Sequence, residues 1–119
     1  MYITKHFKKS EFECKCGCGT NNIQHKLVTM LENMRVAYNN AIYVTSGCRC
    51  LPYNASVGGV DDSAHVFGYA VDISSSDSLT RFTLANIAFK IGFTRIGIAD
   101  NFIHLDIDPN KPQYVLWTY

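Results

Sequence analysis

Three side chains have the types and surroundings to do chemistry together: His65, Asp72 and His104. Two histidines and a carboxylate form a standard ligand set for catalytic zinc and leave a fourth coordination position for water. Asp72 lies in Tyr69-Ala70-Val71-Asp72-Ile73-Ser74, which alternates like a half-buried strand. A carboxylate there costs several kcal/mol of desolvation unless something positive holds it, and no lysine or arginine is near it in sequence. His104 is set between Ile103 and Leu105 on a second apolar segment that also carries Asp106. Taken singly, each histidine reads better as a hydrogen-bonded core residue than as a ligand, and Asp72 as one half of an ion pair.

The cysteines form a second group: Cys14, Cys16 and Cys18, then Cys48 and Cys50. Their spacing is C-x-C, whereas common zinc modules use C-x2-C. Met1 to Lys9 is polar and basic with no apolar stretch, so no secretory signal is expected. A reducing compartment follows from that expectation, and a disulfide framework is then not the default. A thiolate metal site, a disulfide, and a set of small buried thiols beneath a loop all remain open.

The elements that must position these residues follow from periodicity. Ser10 with Glu13 three residues on suggests a short turn of helix. Ile23, Leu27, Met30, Leu31, Met34 and Ala37 make one stripe, which predicts an amphipathic helix over 23–38, ended by Asn39-Asn40. Residues 42–45 read as a strand, and 46–63 as a long turn-rich loop, of the kind more often functional than idle. After the strand at 69–74, Asp77 offers an N-cap for a helix over 78–91 with Leu79, Phe82, Ile87 and Ile91 buried and Gly92 as its stop. Strands follow at 94–98 and 102–107, then a turn marked by Pro109 and Pro112, then a strand at 114–117. Strand and helix do not alternate regularly. The expectation is therefore an α+β fold, a small, mostly antiparallel sheet with helices on one face, in a single domain over 1–119.

Bulk properties exclude other classes. The chain has 119 residues, 47% of them hydrophobic and 13% aromatic, enough for a core and outside the disordered class. A net charge of +1 with no basic run leaves capture of nucleic acid unsupported. No apolar stretch approaches the ~18 residues that span a bilayer, so a membrane partner is not expected.

Thr45-Ser46-Gly47-Cys48-Arg49-Cys50, then Asn54 to Gly59, then Ser63-Ala64-His65-Val66-Phe67-Gly68-Tyr69-Ala70-Val71-Asp72 closely resembles the zinc D-Ala-D-Ala carboxypeptidase and L-alanyl-D-glutamate endopeptidase family. That family's pattern is S-G-x-R, then S-x-H-x-x-G-x-A-x-D, then a strand carrying the third ligand, here His104-Leu105-Asp106. The opening Ser10-Glu11-Phe12-Glu13-Cys14 resembles the start of short phage and bacterial members, so the likeness runs over about 10–108.

The resemblance implies a hedgehog-like fold and a Zn2+ ion on His65, Asp72 and His104. It implies a substrate arginine at Arg49, whose forked guanidinium suits a peptide carboxylate or scissile carbonyl. Ser63 would sit beside the metal to hold the loop or the substrate, and Gly68 would let the backbone pass close under the site. Members of the family place a catalytic Asp or Glu three residues before the last histidine, where this chain has Asn101, which cannot act as a base. Asp100, one residue earlier, is the expected general base. Asp106 is its rival, sharing a strand face with His104 as base or as a group that orients the ligand. The implied activity is hydrolysis of bacterial peptidoglycan peptides, cut at an end or internally, by an endolysin-like monomer. Such a protein would be made in the cytoplasm and would act on the cell wall after release. Asn101 keeps a weakly active or inactive zinc-holding module as the alternative.

Overall fold

The computed structural model describes residues 1–119. A single 3-10 turn, Lys9–Phe12, starts the ordered core by burying Phe12 completely. It begins one residue before Ser10. The Glu11 carboxylate accepts from the Lys8 N–H at 2.6 Å, so Glu11, and not the expected Ser10–Glu13 pair, caps it.

Helix α1 is His25–Tyr38, and Asn39 ends it in the left-handed conformation. Strand β1, Val44–Ser46, pairs antiparallel with β2, Ala70–Ser74, through an irregular register between Val44 and Ser46. The expected loop between them is not all loop: α2, Leu51–Ser56, forms where Pro52 suits a first helical turn. Helix α3 is Ser78–Ile91, and the Asp77 carboxylate accepts from the Thr80 N–H at 2.8 Å. Strands β3, Arg95–Ile98, β4, Phe102–Asp106, and β5, Val115–Thr118, complete a five-stranded sheet in the order β1-β2-β4-β3-β5. All pairings are antiparallel except β3 with β5, which is parallel.

One face of the sheet is apolar. Val71, Ile73, Ile96, Ile103 and Leu105 pack there against Leu27, Val28, Leu31 and Met34 of α1 and Leu84 and Ala88 of α3. Because strand side chains alternate, Asp72, His104 and Asp106 are sent to the opposite face.

The buried face of α3 differs from the expected one. Leu79 and Phe82 are 76% and 72% exposed, while Leu84 and Ala88 are buried with Ile87 and Ile91 beside them. Positions 84, 87, 88 and 91 make a better i, i+3, i+4, i+7 stripe. Apolar residues surround this helix, so periodicity alone did not choose between its faces.

Candidate active site

Asp72 and His104 face each other across β2 and β4 as direct register partners. His65 arrives from the turn before β2, and its Nδ1 is 2.7 Å from the Gly47 carbonyl. A carbonyl can only accept, so Nδ1 carries the proton and a neutral His65 presents a bare Nε2 lone pair. That Nε2 lies 3.3 Å from Asp72 Oδ1.

His104 is oriented in the same manner. Its Nε2 is 2.6 Å from Asp106 Oδ2, and Asp106 Oδ1 accepts from Arg95 Nε at 2.7 Å and from the Asp108 N–H at 3.1 Å. Asp106 is thereby held as an acceptor, and a neutral His104 turns its Nδ1 lone pair to Asp72 Oδ1, 3.0 Å away.

His65, Asp72 and His104 can thus each offer a ligand atom, all within 4.8 Å of one another. Three lone pairs facing a common point repel unless protons or a cation lie between them, and the N, O, N donor set is one that zinc favours. Burial pushes the Asp72 carboxyl up, but His104 and His65 outweigh it and hold it down at about 2. Burial likewise lowers His104, and the Asp106 and Asp72 carboxylates more than reverse this, raising the imidazole. The pocket is built to hold positive charge.

Arg49 stands at the edge of this cluster, 3.7 Å from Asp72 Oδ2. Its Nε donates to Ser46 Oγ at 3.4 Å and its Nη1 to Asn54 Oδ1 at 3.2 Å, which fixes the guanidinium over a cavity of about 570 Å³. Ser63 lines the same cavity, and its Oγ accepts from the His65 N–H at 3.3 Å, so it shapes the ligand turn. Gly68 allows a close backbone approach on the α1 side: it has φ +74°, and an added Cβ would come 2.0 Å from the Asn22 carbonyl oxygen ahead of α1.

Asp100 is not brought to the cluster. It is exposed in the β3–β4 turn, its carbonyl accepts from Arg81, and it does not line the cavity, whereas Phe102 two residues on does. Asp106 lines the cavity but is buried and fully engaged with His104, Arg95 and the Asp108 amide.

Six cavity residues went unread in the sequence: Val60, Arg95, Phe102, Lys111, Trp117 and Tyr119. The row Asp72, His104, Gly97, Trp117 runs straight across β2, β4, β3 and β5. At Gly97 a Cβ would come 2.5 Å from Trp117 Nε1, so the glycine lets the indole lean across to 5.3 Å from the His104 ring. Arg95 stacks on the same indole at 5.1 Å. The available signal was a glycine inside the short apolar strand Arg95-Ile96-Gly97-Ile98 and the single tryptophan of the chain.

The sequence profile of the Peptidase M15 family matches residues 5–106, a span that includes every residue of the His65–Asp72–His104 cluster. The chain belongs to the Peptidase M15 family. This is the family of zinc D-Ala-D-Ala carboxypeptidases, and the α+β fold is compatible with it. A comparison with curated proteins gave no match. Within this M15 domain the His-Asp-His cluster is a site that can take a metal ion, which fits a family of zinc metallopeptidases.

Proposed function

We propose that this M15 domain is a single-domain zinc peptidase that hydrolyses peptidoglycan stem peptides or cross-links, in the manner of an endolysin. The supporting observation is the convergence of His65 Nε2, Asp72 Oδ1 and His104 Nδ1 beside a fixed Arg49 at one cavity. Those three atoms would hold the zinc. When bound, zinc supplies Lewis acidity, making water a nucleophile near neutral pH and polarising a peptide carbonyl.

The chain's own residues do the rest. Arg49 binds a substrate carboxylate or the scissile carbonyl and stabilises the negative charge that develops there. Asp106 keeps the proton of His104 on Nε2 and so keeps Nδ1 free as a ligand. Trp117 closes one wall and excludes water. Asp100 is the proton acceptor in this reading, and it would have to move in from the exposed turn two residues before the cavity-lining Phe102. The protein would be made in the cytoplasm and meet its substrate after release to the wall.

One observation favours a second reading, a domain that holds zinc and wall peptide without cutting. The only carboxylates lining the cavity, Asp72 and Asp106, are both already engaged. Incubation with defined muropeptides, read by mass spectrometry, separates the two. The peptidase reading expects cleavage at a bond beside a D-residue, abolished by chelation and by His65→Ala. Saturable binding without product selects the second reading, and neither product nor binding refutes both.

A further inference from the structure

The cysteines outside the cleft make their own cluster. Cys14 Sγ lies 3.5 Å from Cys16 Sγ and 3.8 Å from Cys50 Sγ, and Cys16 Sγ lies 3.6 Å from Cys50 Sγ. Cys18 completes the set, with all four sulfurs within 4.8 Å of one another. None is in a disulfide, which would need a separation of about 2.05 Å. The observed spacings match another geometry: four thiolates at ~2.3 Å from a tetrahedral zinc stand about 3.8 Å apart along each edge.

The backbone closes around these sulfurs. Cys14 N–H donates to the Thr20 carbonyl at 2.9 Å, closing residues 14–20 into one loop, and Gly17 and Gly19 turn it through φ +83° and +85°. Two amides point at sulfur: Cys50 N–H to Cys14 Sγ and Thr20 N–H to Cys18 Sγ, each at 3.5 Å, as donors that support thiolate ligands do. Cys16 and Cys18 are exposed, so the apolar burial that would explain free thiols is missing at half the set. Cys48 is buried apart from it, with its Sγ facing Asn21 Oδ1 at 3.7 Å.

We propose that Cys14, Cys16, Cys18 and Cys50 form a second, structural metal site, a tetrathiolate centre for one zinc ion distinct from the His65–Asp72–His104 cluster. It staples the 14–20 loop to the N-cap of α2. Cys50 directly follows Arg49, and Cys48 N–H donates to the Phe12 carbonyl at 2.9 Å, so the staple also fixes the strip that carries Gly47 and Arg49 into the cleft.

The test is metal content of protein purified under reducing conditions, by elemental mass spectrometry, with folding checked by circular dichroism. The proposal expects two zinc ions in the wild type and in Cys48→Ala, one in Cys16→Ser, one in His65→Ala, and none in the double variant. One zinc in the wild type and none in His65→Ala would overturn it. Cobalt-loaded His65→Ala should show thiolate-to-metal charge-transfer absorption, and its absence would also overturn it. The unmutated protein gives a third readout. Iodoacetamide should label Cys16 and Cys18 only after a chelator is added, and full labelling of these exposed thiols beforehand refutes the site.

Discussion

Replacing Asp106 by asparagine tests whether this residue orients His104 or takes a proton. In the wild type its two oxygens are divided, Oδ2 at 2.6 Å from His104 Nε2 and Oδ1 at 2.7 Å from Arg95 Nε. An amide at 106 has one oxygen for the three donors His104 Nε2, Arg95 Nε and the Asp108 N–H, so at least one contact is lost or reversed. If the imidazole contact goes, the proton of His104 is free to move to Nδ1, the atom facing Asp72. Loss of a carboxylate that orients a metal-bound histidine costs ~10- to 100-fold in metal affinity, or about 1.4–2.7 kcal/mol. The fold also suffers, because Arg95 is buried and loses its counter-charge. Removing one partner of a buried ion pair costs about 3–5 kcal/mol, and the lower end is expected here. The reason is that Arg95 Nη1 keeps the Pro112 carbonyl at 2.6 Å. Zinc affinity is read by competition with a chromogenic chelator in a Cys16→Ser background, so that thiolates do not contribute, and stability by thermal unfolding of metal-free protein. Affinity within twofold of the parent, with stability reduced, would mean that Asp106 serves only Arg95. Intact affinity and fold with collapsed turnover would make Asp106 the proton acceptor.

Asp100→Ala should lower turnover of a wall peptide by ~10²-fold or more while zinc still binds, as loss of a positioned base does; full activity would remove Asp100 from the mechanism. Gly97→Ala should displace the Trp117 indole, since the new Cβ would come 2.5 Å from Nε1. A cost of ~1–3 kcal/mol and a changed tryptophan emission are expected, and unchanged emission would refute the packing argument. Glu32 accepts from the His6 amide at 2.8 Å, and although burial pushes its carboxyl up, the contacts with His6 outweigh this and leave it lowered. A carboxyl lowered in the fold contributes stability above its unfolded pKa of ~4.3 and loses it as pH falls through the folded value. Glu32→Gln should therefore be less stable than wild type at neutral pH and converge with it in acid, in denaturant titrations at several pH values. Leu84→Ala should cost ~2–5 kcal/mol and Leu79→Ala within ~0.5 kcal/mol, and the reverse order would show that α3 buries its other face.

How far the site was legible depends on the range of the contact that makes it. The proximity of Asp72 and His104 could be expected because each sits on an alternating strand, and alternation decides which face a side chain takes. The structure adds the register that sets them opposite each other. Arg95 and Asp106 join strands through a pairing that periodicity does not encode, so a buried ion pair central to the site had no local signature. Trp117 needed a second residue to be readable, because its reach to His104 depends on the missing side chain at Gly97. The cysteines were ambiguous for a different reason. C-x-C spacing does not suit the common zinc module, and only the two left-handed glycines show how such a chain can return on itself. Asp100 shows where local sequence stops short of side-chain placement. Local sequence put a carboxylate one residue from the family position, but an offset of one at a strand end changes side-chain direction, and the turn leaves Asp100 in solvent. The carboxylate beside the ligands is Asp106, whose contacts with His104, Arg95 and the Asp108 amide make it the group that decides which nitrogen of His104 is free to bind.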